Sequence, residues 1–444
     1  MDLTVFDDQE IEVVLKGVRT VGSELDSGIN FQYTVYNDSD YACAFAMSGM
    51  IVNNVSVFQN IGFNQYVDPH SSVDLYMMLS KDNLPALADG IVRDVSFYAV
   101  VGVIPPNGPV TFSNLHTTKR IRLPLDLDVS DIGPMREWPY PDTVLGETVT
   151  RGVRTQLLSL RELPDGQLSG VLHLINESGE DRNIYSNSRD GYPHLVINGR
   201  YMPNCLAGFF SQVCLPVRGE AYAEFSVRRT SYSQLFGHLE DIGRMTQDIF
   251  DYWEISTVES IGFLFDITDE IEYGSAGVFR YPVMIPLREP LPLNRAPEKR
   301  AGVIRIAGTD AGTVNLCGAV YEEDCVRLYV DIHPRTDSGL ILSLADCVLD
   351  GKLADRAAIA LDRTNSYSAG PVQMFGGVSE RAIIELKPAD QEKITRDTHV
   401  TLSFEFCPLH RYTVTDSDPV QIWPFSKKAN LGEYLAAGQL RVKK

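Results

Sequence analysis

Apolar and polar residues alternate with a period of two through much of this 444-residue chain. The run Ile29-Asn30-Phe31-Gln32-Tyr33-Thr34-Val35-Tyr36 is one example; Ala221 to Val227 and Val326 to Ile332 are others. Such alternation buries one face of a strand and leaves the other in water. More continuously apolar runs, Ile91 to Val101, Ser260 to Asp266 and Val400 to Phe406, read as core strands. Polar clusters end the alternating runs at Asn37-Asp38-Ser39-Asp40, Asn176-Glu177-Ser178-Gly179 and His333-Pro334-Arg335-Thr336-Asp337. Asn, Asp and Ser do this by hydrogen-bonding nearby backbone. Leu157 to Leu163 and Leu168 to Ile175 flank Pro164-Asp165-Gly166, the signature of a hairpin. Short strands separated by turns predict an all-β sandwich fold.

One device recurs. Apolar runs end in the turns Ile51-Val52-Asn53-Asn54, Val196-Ile197-Asn198-Gly199 and Val348-Leu349-Asp350-Gly351. Their spacing of about 150 residues is that of whole domains, not of solenoid repeats. The expected organisation is three tandem immunoglobulin-like β-sandwich domains, at 1–123, 148–287 and 300–426. Pro-rich linkers at 124–147 and 288–299 would separate them, with a tail at 427–444. Pro124, Pro134, Pro139 and Pro141, and then Pro290 and Pro292, fix φ and withhold donors, which suits extended connectors or edge strands. The second domain is expected to carry a helical insertion over about 231–254, because Leu235, Leu239, Ile242, Met245, Ile249 and Phe250 recur at helical spacing.

Charge and targeting narrow the function classes. With 39 basic and 59 acidic residues the net charge is −20, and no basic patch exceeds a Lys pair. That excludes nucleic-acid backbone binding, which needs clustered cations. The N-terminus lacks a basic region followed by an apolar one, so no signal peptide is read and a cytoplasmic location is expected; a removed leader would instead place the protein at the surface or outside the cell. No apolar stretch of about 20 residues is present to span a membrane. Seven cysteines, without a shared spacing across the three copies, are expected to be buried thiols and not a disulfide framework.

The order of landmarks resembles a family. Uncharacterised immunoglobulin-like β-sandwich repeat domains of Gram-positive gut bacteria run as strand, Asn break, Asn-Gly-type turn, Pro-Gly-type turn, alternating strand and Ile/Phe strand. The matching landmarks are Asn37, Val52-Asn53-Asn54, Pro69 and Phe97, then Asn176, Ile197-Asn198-Gly199, Pro216 with Gly219, and Phe263. The third copy offers Leu349-Asp350-Gly351, Gly376-Gly377 and Phe404, without the Asn break. The resemblance carries no catalytic residue to transfer, and no cofactor is expected.

Candidate chemistry is sparse. The eight histidines share no metal-ligand spacing and read as turn or surface residues; no catalytic base pair is evident. Asp126, Asp128 and Asp131, and Asp266, Asp269, Glu270 and Glu272, form acidic stretches without a calcium-loop pattern, so no metal site is expected. Trp138-Pro139-Tyr140 and Trp423-Pro424-Phe425 each follow a domain's last expected strand. Their flat rings make Trp138, Tyr140, Trp423 and Phe425 the candidate binding residues for a sugar face or peptide. The expected function is non-catalytic binding or scaffolding toward a protein or glycan partner. The alternative is a carbohydrate-active hydrolase with an interdomain Asp/Glu pair.

Overall fold

In a computed structural model the chain is described over residues 2–22, 27–57, 61–84, 87, 89–104, 115–132, 139, 141–186, 194–202, 205–210, 212–229, 248–268, 281–294, 303–322, 324–336, 339–362, 367–389, 394, 398–408 and 425–430. The protein is nearly all β, with sheets facing one another across apolar cores. Three successive strand sets share one pairing order.

In the first set, Leu3–Asp8, Ile11–Val21, Gly28–Asn37 and Ser71–Ser80 form one antiparallel sheet in that order. Ala42–Val52, Ile91–Ile104 and Ile121–Asp128 form the facing layer. The second set repeats this with Gly146–Thr150, Val153–Glu162, Leu168–Asn176 and Glu220–Val227, facing Leu195–Ile197, Thr257–Thr268 and Tyr281–Pro292. The third repeats it with Ile304–Gly308, Gly312–Tyr321, Val326–Pro334 and Glu380–Lys387, facing Leu340–Leu349, Val400–Pro408 and Phe425–Asn430. The second strand of each first sheet bulges at the same place, at Lys16, Leu158 and Cys317, where the register against the third strand slips. A bulge adds twist, which lets a sheet wrap its core.

Each core is filled by the inward residues of both layers. In the first set Phe31, Tyr33 and Val35 meet Phe45, Met47, Phe97 and Ala99. Tyr33 and Phe45 touch edge to face with ring centroids 5.1 Å apart, and the buried Tyr33 hydroxyl donates to Met47 Sδ at 2.7 Å. The expected hairpin across Pro164-Asp165-Gly166 is present, with Gly166 at φ 79°.

Strands run through four of the expected boundaries, Gly146–Thr150 through the one between 147 and 148. Ile121–Asp128 crosses the edge placed at 123 and pairs with Ile91–Ile104, so Pro124 lies in a strand opposite Asp94. Tyr281–Pro292 crosses the edge at 287, and Phe425–Asn430 crosses the edge at 426. Of the two forms expected for the Pro-rich segments, connector or edge strand, Pro124, Pro290 and Pro292 take the strand, since an edge tolerates a missing donor on its open side. Of the insertion expected over 231–254, residues 231–247 lie outside the described residues; the remainder holds the helix Ile249–Tyr252, capped by the Asp248 carboxylate accepting from the Phe250 and Asp251 N–H groups. Among the described residues no helix is long and apolar enough to cross a membrane.

Candidate functional site

The repeated turn is a clamp as well as a bend. Asn53 and Asn54 have φ of 47° and 70°, Asn198 and Gly199 50° and 70°, and Asp350 and Gly351 47° and 84°. Two successive left-handed residues make the tight hairpin turn that matches strand twist, hence Asn, Asp and Gly. The first residue's side chain then reaches a distant strand. Asn198 Oδ1 accepts from the Glu259 and Ser260 N–H groups at 2.8 and 3.1 Å, and its Nδ2 donates to the Thr257 carbonyl at 2.7 Å. Asn53 makes the same three bonds, to Arg93 N–H, Asp94 N–H and Ile91 O, at 2.7, 3.2 and 2.8 Å. Asp350 accepts from His399 N–H at 2.7 Å.

A second asparagine fixes the corner that begins the fourth strand of the first sheet. Asn37 donates to the carbonyls of Tyr41, Val67 and Asp68 and accepts from Ser39. Asn176 donates to Glu180, Leu215 and Pro216 and accepts from Ser178 in the same pattern. Pro334 takes this position in the third set, as its pairing with Gly312 shows against Ile11 with Asn37.

These two devices meet between strand sets. Beyond the first clamp, Val55–Ser56 pairs in parallel with the start of Glu220–Val227, Val55 opposite Glu220. Glu220 N–H donates to Asn54 O at 3.2 Å, and Asn54 Nδ2 donates to Arg218 O at 2.7 Å. Beyond the second clamp, Arg200 bridges in parallel to Ser379, with Ser379 N–H donating to Gly199 O at 2.7 Å and Tyr201 N–H to Ser379 O at 2.8 Å. The two joints are the same joint. In each, the residue two past the clamp asparagine lies opposite the residue two past a left-handed one, Arg218 at φ 60° or Gly377 at φ 68°. A Cβ on Gly199 would meet Gly377 O at 2.9 Å, so the second joint needs glycine there. Apolar packing completes it: Val196, Tyr201 and Leu264 bury against Phe375 and Val378.

The polar groups near the joints serve structure. Arg120 donates to Tyr98 and Cys214 at 3.2 and 3.1 Å and pairs with Asp181 at 3.0 Å, tying the first set to the second. Burial pushes the Tyr98 hydroxyl and the Cys214 thiol up, so neither is an activated nucleophile. Arg381 and Asp362 form a fully buried ion pair in the third set, which satisfies two charges that burial would otherwise penalise.

Of the sequence-predicted binding residues, only Phe425 lies within the described residues. Trp138, Tyr140 and Trp423 lie outside the described residues. Phe425 opens the last strand, opposite Phe406, and does not follow it. The histidine expectation is corrected at two positions: His173 is buried, bonded to Gln156 and Glu220 and stacked on Tyr222, and His194 is buried against the Tyr201 hydroxyl at 2.6 Å. Asp128 accepts from Ser130, which holds its carboxyl below the usual range, and Asp266 is buried in a core strand. Asp269, Glu270 and Glu272 lie outside the described residues. Among those described, Glu322, Asp324 and Cys325 gather at one hairpin tip, but Glu322 already pairs with Arg327. None of the seven cysteines is in a disulfide.

One open face went unnoticed in the sequence. Tyr36 and Tyr76 stand exposed on the outer side of the first sheet, Tyr36 opposite Ser72 and Tyr76 opposite Gln32, with the buried Thr34 paired to Asp74 between them. Gln32 Nε2 donates to the Tyr76 hydroxyl at 3.4 Å, and Thr34 donates to Asp74 at 2.6 Å. Their alternate spacing in adjacent strands was the signal available.

No family model matches the chain, and no curated protein matches it. Among solved structures, the GAE domain of yeast GGA1 is 9% identical, covering 30% of this chain and 99% of its own, with a TM-score of 0.18. Escherichia coli alpha-2-macroglobulin is 10% identical, covering 95% of this chain and 33% of its own, at a TM-score of 0.14. Lactobacillus farciminis oxalate decarboxylase is 10% identical, covering 69% of this chain and 91% of its own, at a TM-score of 0.11.

Proposed function

We propose that the chain is a non-catalytic binding scaffold, in which tandem β-sandwich units hold an interaction face at fixed spacing for a protein or glycan partner. The observation that carries this reading is the joint used twice in one register, each time closed by backbone hydrogen bonds and side-chain contacts. A chain that invests its Asn clamps in fixing one unit on the next has the build of a spacer, not of a hinged enzyme. The polar tyrosine face around Tyr36 and Tyr76 supplies the contact chemistry, since tyrosine offers a broad ring and a hydroxyl at low entropic cost. The resemblance to repeat domains of gut bacteria agrees with a bacterial surface or intracellular adaptor.

The test is a glycan array and a quantitative pull-down from native lysate, run with the full chain and with Tyr36→Ser/Tyr76→Ser. A specific ligand lost in the double variant, with no hydrolysis of any glycan offered, is the expected result. Turnover of a glycan, or binding indifferent to both tyrosines, overturns it.

A further inference from the structure

Each joint uses two different surfaces, a hairpin on one strand set and a strand start on the next. Two joints among three sets therefore leave one hairpin and one strand start unjoined within these residues. The hairpin is that of the third set, Lys352–Leu353, folded back on Val348 and Leu349. Leu353 holds the position of Ser56 and Tyr201. Those two are 4% and 2% exposed in their joints, whereas Leu353 is 62% exposed. A large aliphatic side chain stands in water at the one place where its counterparts are buried.

The strand start is that of the first set. His70, at φ 51°, corresponds to Arg218 and Gly377, and Ser72 corresponds to Glu220 and Ser379. Asn37 holds this corner with the same bonds by which Asn176 holds the corner of the first joint. Ser71–Ser80 ends its sheet, and among the described residues no strand pairs with its outer side. Both halves of a third joint are therefore preformed. Open strand edges of this kind template pairing with another chain. Acidic Asp68 and Asp74 flank the strand start, and the hairpin brings Lys352, the counterpart of Arg200.

We propose that the chain associates head to tail with a second copy of itself: the Asp350–Leu353 hairpin of one molecule docks on the Pro69–Ser72 corner of the next. By equivalence, Ser72 N–H donates to Gly351 O and Leu353 N–H donates to Ser72 O across the contact. The two surfaces differ, so the association is heterologous and extends as a row unless its rotation closes a ring. The corner adjoins the tyrosine face, since Ser72 pairs with Tyr36, but Leu353→Asp leaves that face untouched and so separates the two readings.

Analytical ultracentrifugation of the full chain over a concentration series tests it. The wild type is expected to form species larger than the monomer as concentration rises. Leu353→Asp removes the hairpin's apolar contact, and Ser72→Pro removes the donor of the strand start at an edge position that tolerates proline. Each variant alone is expected to stay monomeric, and a mixture of the two to stop at a one-to-one dimer, because each keeps one working surface. Circular dichroism melts confirm folding. Should Ser72→Pro melt early, disulfide trapping between Lys352→Cys and Ser72→Cys chains replaces it, with mixed dimers expected in excess of those formed by either chain alone. A wild type that remains monomeric at its solubility limit, a Leu353→Asp variant that assembles like wild type, or no excess of trapped mixed dimer overturns the proposal.

Discussion

Asn54 donates its side-chain amide to the carbonyl of Arg218 at 2.7 Å, across 164 positions of chain. Glycine is the usual residue at this left-handed position, and Gly199 and Gly351 occupy it in the other two turns. Asparagine at 54 keeps the backbone shape and adds a bond that glycine cannot make. Asn54→Gly is expected to cost about 0.5 to 1.5 kcal/mol, the worth of one hydrogen bond. Asn54→Val should cost roughly 1 to 2 kcal/mol more, because a branched side chain is strained at positive φ. Urea melts of the two variants decide it; equal midpoints would remove the backbone argument.

At the second joint the constraint is steric. Gly199→Ala forces a Cβ toward Gly377 O while φ stays at 70°. The expected cost is about 1 to 3 kcal/mol, from strain plus a loosened contact. Small-angle scattering should show a larger radius of gyration for this variant. Gly351→Ala, whose Cβ meets nothing within 4 Å in its own chain, should leave the scattering profile of the monomer, recorded at a dilution where chains do not associate, unchanged.

The buried pair of Arg381 and Asp362 makes a third test. Arg381→Met strands a carboxylate in the core and is expected to cost about 3 to 5 kcal/mol. Adding Asp362→Leu removes the stranded charge and should restore most of that loss, since an apolar pair of similar size is often neutral. A double variant no more stable than the single one would show that other partners of these residues dominate.

Thiol chemistry follows from burial. Desolvation pushes Cys43 and Cys347 up to about 11 and Cys325 up to about 12. In the folded protein these groups keep their protons where an unfolded thiol, with a pKa of about 8.5, has lost its own. The folded state then binds more protons, so stability falls as pH climbs from about 8.5 toward 11. Melting temperature against pH should decline over that window. At pH 8 a thiol reagent should modify the half-buried Cys317 first, and all seven cysteines only in denaturant.

The strands were legible because their cause is local. Ile29 to Tyr36 alternates, and the strand Gly28–Asn37 follows the alternation to within one residue. The clamp asparagines were legible as turns, since positive φ selects Asn and Gly. Their second role was not, because Asn198 finds Glu259 and Ser260 only after the strands between them have folded. Prolines drew boundaries at 123 and 287 where edge strands run on. His173 and His194 read as surface residues because nothing in their immediate neighbours reveals Gln156, Glu220 or Tyr201 across the sheets. The binding candidates rest on residue type and on their place after an expected last strand, whereas the face at Tyr36 and Tyr76 depends on register, which only pairing fixes.

The joint also has a direction in time. In both instances the hairpin is made first and the strand start that receives it comes much later in the chain. During synthesis from the N-terminus, each newly folded unit must therefore wait with its hairpin uncovered until the next unit's fourth strand has left the ribosome. Folding proceeds as a series of handovers, with one open hairpin always at the growing end. A stalled or truncated chain would expose Val55–Ser56 or Arg200–Met202 in place of Lys352–Leu353, and the cell would meet a different adhesive end at each length.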